Sequence, residues 1–119
     1  EKAIEFYADK GDLVILVSSS GQSKNMLNGV IKAKKMNLSL VTLTGFKKEN
    51  PLKKTGDVNL WVDSSNYNIV ETAHQTWLLS VVDCLIEAKK MQQKISDREV
   101  SKIKIEEIKK IVSSLFKKD

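Results

Sequence analysis

Apolar and polar positions along this chain follow two rhythms. Leu13 to Val17 is an unbroken apolar run, the pattern of a strand covered on both faces in a parallel sheet. From Lys24 to Met36 the period becomes helical. Met26, Leu27, Val30, Ile31 and Ala33 fall on one side, and Lys32, Lys34 and Lys35 on the other. Leu38 to Thr44 predicts a second strand, closed by Gly45, and a helical connection between the two requires a right-handed crossover. Val58 to Asp63 alternates, with Val58, Leu60 and Val62 set against Asn59, Trp61 and Asp63. That pattern suits a strand at or near the sheet edge, with one less covered face.

Helices flank these strands. Ala3, Ile4 and Tyr7 place a helix end at the start of the chain, stopped by Gly11 with Lys10 in the last turn. The chain opens without an initiator Met and inside a helix, which suggests a fragment or one piece of a longer chain. Asn50 is a natural N-cap with Pro51 behind it. A long helix is expected from about Ile69 to Met91. Its middle, Trp77 to Ile86, is apolar nearly all round, as in a helix buried on several sides. A second copy of the chain, giving a homo-oligomeric dimer or tetramer, is expected to cover it. Ser96-Asp97-Arg98-Glu99 has the form of a capping box. It predicts a separate last helix over 97–117, with Ile105, Ile108, Ile111, Val112 and Leu115 on one stripe. The order of elements predicts an α/β fold, a three-layer sandwich around a mostly parallel sheet.

The candidate chemistry lies where the first strand gives way to a helix, at Ser18-Ser19-Ser20-Gly21-Gln22-Ser23. The first amides of a helix have no internal partner and sit at the positive end of its dipole. Ser18, Ser19, Ser20 and Ser23 add hydroxyl donors, and Gly21 permits a positive φ and close backbone approach. A phosphate suits that set. A serine-rich turn can also do no more than cap its helix, and no P-loop or Gly-x-Gly-x-x-Gly motif is present.

Composition narrows the classes. A length of 119 residues predicts one domain, and 41% hydrophobic with 29% charged residues is globular. The net charge of +5 comes from scattered lysines without interleaved aromatics, so a nucleic-acid partner is not indicated. Cys84 is alone inside an apolar run and is expected to be a small buried hydrophobe in a reducing compartment. No apolar run approaches the roughly 18 residues of a membrane span, so the cytoplasm is the expected location and no membrane partner is expected. His74 is the one histidine, which leaves no support for a zinc site. No cofactor is implied, and Lys47 and Lys48 are expected to be solvated.

Leu13 to Ser23, followed by Leu40-Val41-Thr42-Leu43-Thr44-Gly45, resembles the sugar isomerase (SIS) domain, and within it the phosphoheptose isomerase branch. That branch has a strand ending Ser-Thr-Ser-Gly-Asn-Ser, a helix, and a strand ending Thr-Leu-Thr-Gly. The resemblance covers roughly residues 1 to 90 and implies the second half of a flavodoxin-like five-stranded domain. It divides the chain into 1–91, the C-terminal part of a phosphosugar-binding domain, and 92–119, an added amphipathic helix. It implies that Ser18, Ser19, Ser20, Gly21 and Ser23 hold the phosphate of a phosphorylated sugar. The family's reaction moves a proton between adjacent carbons of sedoheptulose 7-phosphate with a glutamate base and a histidine. The family's Gly-Asn-Gly-Gly-Ser motif, which precedes that glutamate, is absent here. Its late helix carries Gln-Glu-x-His and a second histidine five residues on; this chain has Glu71-Thr72-Ala73-His74, then Leu79. Glu71 and His74 are therefore the candidates for a catalytic role, each beside a plainer reading as a helix-dipole partner and a buried structural histidine.

Two function classes follow. One is part of an aldose–ketose isomerase acting on sedoheptulose 7-phosphate. The other is a non-catalytic phosphosugar-binding regulatory module, which the missing second histidine favours.

Overall fold

The computed structural model describes residues 1–115, with side chains through residue 110. The elements run α1 (Lys2–Tyr7), β1 (Leu13–Ser18), α2 (Lys24–Lys35), β2 (Ser39–Thr44), a 3₁₀ turn (Leu52–Lys54), β3 (Val58–Trp61) and α3 (Tyr67–Leu115). The three strands form one sheet in the order β1-β2-β3, with both pairs parallel. By contacts the chain divides into two units, Glu1–Leu78 and the part from Leu79 onward.

Alternation along the strands gives the sheet two unlike faces. Val14, Leu16 and Ser18 share the face of their partners Leu40, Thr42 and Thr44. There Leu16, Leu40, Val30 of α2 and Leu52 of the 3₁₀ turn form the core, with Val14, Met26 and Leu27 packed against it. Each fully buried aliphatic side chain of this kind contributes roughly 1.5–3 kcal/mol. Gly29 of α2 is buried facing Ile4 and Leu16, at a distance where a Cβ would make ordinary contact at 3.5 Å. The other face is barely covered along β1, where Leu13, Ile15 and Val17 are all exposed. The expectation that β1 is buried on both faces is thus corrected: β1 is an edge strand, and in this chain helix α2 covers one face of it.

β3 is the opposite edge, as its alternation predicts, but its burial does not alternate. Val58 and Asn59 are exposed while Leu60 and Trp61 are half-buried, and register places Trp61 beside Thr44. Asp57 fixes that register. Its carboxylate accepts from the Leu40 amide at 2.8 Å and its amide donates to the Leu40 carbonyl at 2.8 Å. On α2, Ile31 is 53% exposed rather than part of the apolar side. α1 ends at Tyr7 with no basic residue in its last turn. The turn after it is closed instead by Asp12, which accepts from the Asp9 amide at 2.9 Å.

The largest departure is α3. The separate helices expected at 69–91 and 97–117 are one continuous helix. A capping box starts a helix only where the previous one has stopped, and after Gly56 the sequence holds neither glycine nor proline to stop it. Within α3, Asp97 accepts from Gln93 Nε2 at 2.9 Å, and its carbonyl accepts from Ser101 Oγ at 2.8 Å. Leu79, Val81, Val82, Leu85 and Ile86 are exposed. So is Cys84, against the expectation of a buried thiol, as are the apolar side chains on either side of it. On the predicted stripe, Ile105 and Ile108 are exposed; the side chains of Ile111, Val112 and Leu115 lie outside the described residues. No helix among the described residues is long and apolar enough to cross a membrane.

Candidate functional site

All three strands end together, and Ser18, Thr44 and Trp61 are partners across the sheet. Parallel α/β sheets bind ligands at this end. Beyond Ser18 the chain folds back at once. The Gly21 amide donates to the Ser18 carbonyl at 3.0 Å and to Ser18 Oγ at 3.2 Å. Gly21 has φ +63°, and a Cβ there would run into the Asn50 side chain. The position thus demands glycine both for its backbone and for its space. Ser20 Oγ accepts from the Gln22 amide at 3.3 Å.

Ser23 occupies the N-cap position of α2, yet its side chain makes no capping bond. Its hydroxyl lies 3.2 Å from Ser18 Oγ instead. The Met26 and Leu27 amides bond to the Ser23 carbonyl. That leaves the Lys24 and Asn25 amides ahead of the first intrahelical acceptor. The plain helix-cap reading of this loop therefore loses its bond. What stands there is an uncapped helix start, ringed by the half-buried Ser19, Ser20 and Ser23.

The loop is supported from the next connection. The Gly45 amide donates to the Ser19 carbonyl at 2.9 Å, and the Leu52 amide to the Gly21 carbonyl at 3.0 Å. Asn50 is the hub, only 1% exposed. Its Nδ2 donates to the carbonyls of Lys47 at 2.9 Å and Gly45 at 3.3 Å, and its Oδ1 accepts from the Lys53 amide at 2.9 Å. The sequence marks Asn50 as a cap, which the Lys53 bond matches. Its second task, filling the space beside Gly21, leaves no local signal because it joins residues far apart in the chain.

Glu71 and His74 go to different places. Glu71 reaches the loop, where its Oε1 accepts a long hydrogen bond of 3.5 Å from Ser19 Oγ. His74 is 2% exposed, and its Nε2 lies 3.1 Å from the Thr44 carbonyl. A carbonyl only accepts, so Nε2 is the donor in this bond. Nδ1 is buried without a partner, as are Thr44 Oγ1 and Trp61 Nε1. Three orphaned polar atoms around the C-terminal end of β2 mark it as more than plain packing. Nearby, Lys53 Nζ sits 4.3 Å above the Trp61 ring. Lys47 and Lys48 are exposed. Among the described residues no group of three His, Cys, Asp or Glu side chains could hold a metal ion.

The fold and site together define an α/β domain with a serine-lined strand–loop–helix turn at the sheet's C-terminal end. Residues 4–85 match the SIS domain model, and the chain belongs to that family. It is 33% identical over 87 residues to a phosphoheptose isomerase of Campylobacter concisus, covering 73% of this chain and 46% of that one. To a phosphoheptose isomerase of Sulfurimonas denitrificans it is 34% identical over 73 residues, covering 61% and 37%. Its fold is similar to the solved phosphoheptose isomerase of Neisseria gonorrhoeae, with TM-score 0.62, 26% identity, and 70% of this chain matched to 47% of that one. The chain spans about half the length, or less, of the curated relatives it matches.

Proposed function

We propose that this chain holds the phosphate of a phosphosugar at Ser18, Ser19, Ser20, Gly21 and Ser23, and forms the phosphate-binding part of a phosphoheptose aldose–ketose isomerase. The observation that carries the reading is the uncapped start of α2. The Lys24 and Asn25 amides and the serine hydroxyls converge where a strand ends, and a doubly charged phosphate can accept from all of them. Membership of the SIS family, and relatives named phosphoheptose isomerases, supply the sugar class.

The isomerisation moves a proton between neighbouring carbons, which takes a base and an acid for the oxygen. Glu71 is the carboxylate standing beside the loop, and it is the candidate base within this chain. We assign His74 a positioning role, since its Nε2 proton is spent on the Thr44 carbonyl and its ring is buried. The exposed apolar stretch of α3 from Leu79 to Ile86 supports a homo-oligomer assembled through residues 69–91. The segment from 92 on is proposed as an addition to the family domain, and the cytoplasm as its location.

Isothermal calorimetry with sedoheptulose 7-phosphate, sedoheptulose and inorganic phosphate tests this. The phosphorylated sugar should bind and the free sugar should not. Ser23→Ala should weaken binding about tenfold, in keeping with the ~1.5–3 kcal/mol of a hydrogen bond to a charged group. Equal binding by wild type and Ser23→Ala would remove the loop from the site.

A further inference from the structure

The end of β2 carries an aromatic pair that the phosphate reading does not use. Phe46 follows Gly45 and has φ +55°, in the left-handed region that bulky side chains avoid. Its surroundings hold it there. The Phe46 amide donates to the Ser64 carbonyl at 2.8 Å. Its ring meets the Tyr67 ring edge-on, with centroids 4.7 Å apart and planes at 77°, a favoured geometry for two aromatics. Just before it, Gly45 lies so close to α3 that a Cβ there would stand 2.6 Å from the Val70 side chain. A backbone kept in a costly conformation by a tight frame points to a task for the side chain it aims. Helix capping is not that task. Asn66 already caps α3, its Oδ1 accepting from the Asn68 amide at 3.0 Å and the Ile69 amide at 3.4 Å. Core packing is not the task either, since Tyr67 is 58% exposed and Phe46 only half-buried.

The pair stands beside the serine loop. Phe46 follows the end of β2, and Tyr67 opens α3 shortly after β3, so both residues lie at the C-terminal end of the sheet. The Gly45 amide, one residue before Phe46, donates to the Ser19 carbonyl at 2.9 Å. Glu71, one helical turn after Tyr67, accepts from Ser19 Oγ at 3.5 Å. Residues four apart on a helix share a face at roughly 5–6 Å, so Tyr67 stands about one turn beyond the Ser19–Glu71 bond. A phosphate in the loop places the carbons of its sugar at that range. We propose that Tyr67, backed by Phe46, is the sugar-facing wall of the site. Its ring packs against the carbon-bound hydrogens of a phosphorylated sugar whose phosphate lies in the serine loop. The inference rests on the phosphate reading and adds a residue that recognises the sugar. Ligand sites combine a few placed polar groups with apolar and aromatic surface; the loop supplies the first and Tyr67 the second. The face of an aromatic ring carries partial negative charge and gains nothing from a phosphate, so Tyr67 distinguishes a phosphosugar from bare phosphate.

NMR and calorimetry with sedoheptulose 7-phosphate and inorganic phosphate as probes test this. In the wild-type chain saturated with sedoheptulose 7-phosphate, nuclear Overhauser effects should join the sugar's carbon-bound hydrogens to the Tyr67 ring. Tyr67→Ala should weaken binding of the phosphosugar about tenfold, the loss of one well-placed aromatic anchor, and leave inorganic phosphate binding unchanged. Tyr67→Phe, which keeps the ring, should bind both probes as the wild type does. A bound sugar without Overhauser effects at Tyr67 overturns the inference, and that result is read on the wild type whatever the stability of the alanine variant. Equal losses for phosphosugar and inorganic phosphate in Tyr67→Ala also overturn it, since they make Tyr67 a support of the loop. A wild-type chain that binds neither probe removes the phosphate reading itself, and the inference falls with it.

Discussion

Two buried residues carry the geometry of the loop. Gly21 is held at φ +63° against Asn50, and a non-glycine residue in the left-handed region already costs about 1–2 kcal/mol. Gly21→Ala adds the displacement of Asn50 and should destabilise the chain by about 2 kcal/mol or more, measured by urea unfolding. Asn50→Ala leaves the Lys53 amide and two carbonyls without their partner. At about 1–3 kcal/mol per orphaned buried group, partly recovered by water, a loss of about 2–3 kcal/mol is expected in the same measurement. An Asn50→Asp variant keeps the acceptor for Lys53 but sets a buried carboxylate oxygen against the Lys47 and Gly45 carbonyls, so its loss should be at least that of Asn50→Ala. At this scale the serines and Gly21 were legible from the sequence, because a strand end, hydroxyls and a glycine lie within six neighbouring positions. The buttress was not. Asn50 meets Gly21 only after β2 has paired with β1, and His74 meets Thr44 across 30 positions.

Among the elements, those with a clear period were legible and those defined by their limits were less so. α2 and β2 follow their hydrophobic rhythm to within a residue or so, and Gly45 closes β2 as expected. β1 was legible as a strand, but its covering was misjudged, since composition records how a strand is meant to be buried and not what this chain supplies. α3 was divided in two because Ser96 to Glu99 imitates a helix start. Capping signals act only on free helix ends, and no helix breaker precedes Ser96. The difference is measurable. At a true N-cap, Ser96→Ala would cost about 1 kcal/mol. In a continuous helix alanine is the better helix former, so Ser96→Ala should leave helicity by circular dichroism unchanged or slightly raised. A clear loss of helicity would restore the break.

At the scale of the molecule, the unit Glu1–Leu78 holds a three-stranded parallel sheet with one well-packed face, and it carries the serine loop proposed to hold a phosphate. Its net charge of +5 favours approach of an anionic ligand without selecting one. In the proposed reading selection rests with the start of α2, where the Lys24 and Asn25 amides stand ahead of the first intrahelical acceptor beside the serine hydroxyls. Amide chemical shifts read that claim directly. On titration of the ¹⁵N-labelled chain with sedoheptulose 7-phosphate, the largest shifts should fall at Ser19 to Asn25 and saturate, and Ser20→Ala should weaken them. Shifts that scatter over the surface lysines, or that leave Ser19 to Asn25 untouched while the ligand binds elsewhere, would contradict a phosphate site at this loop.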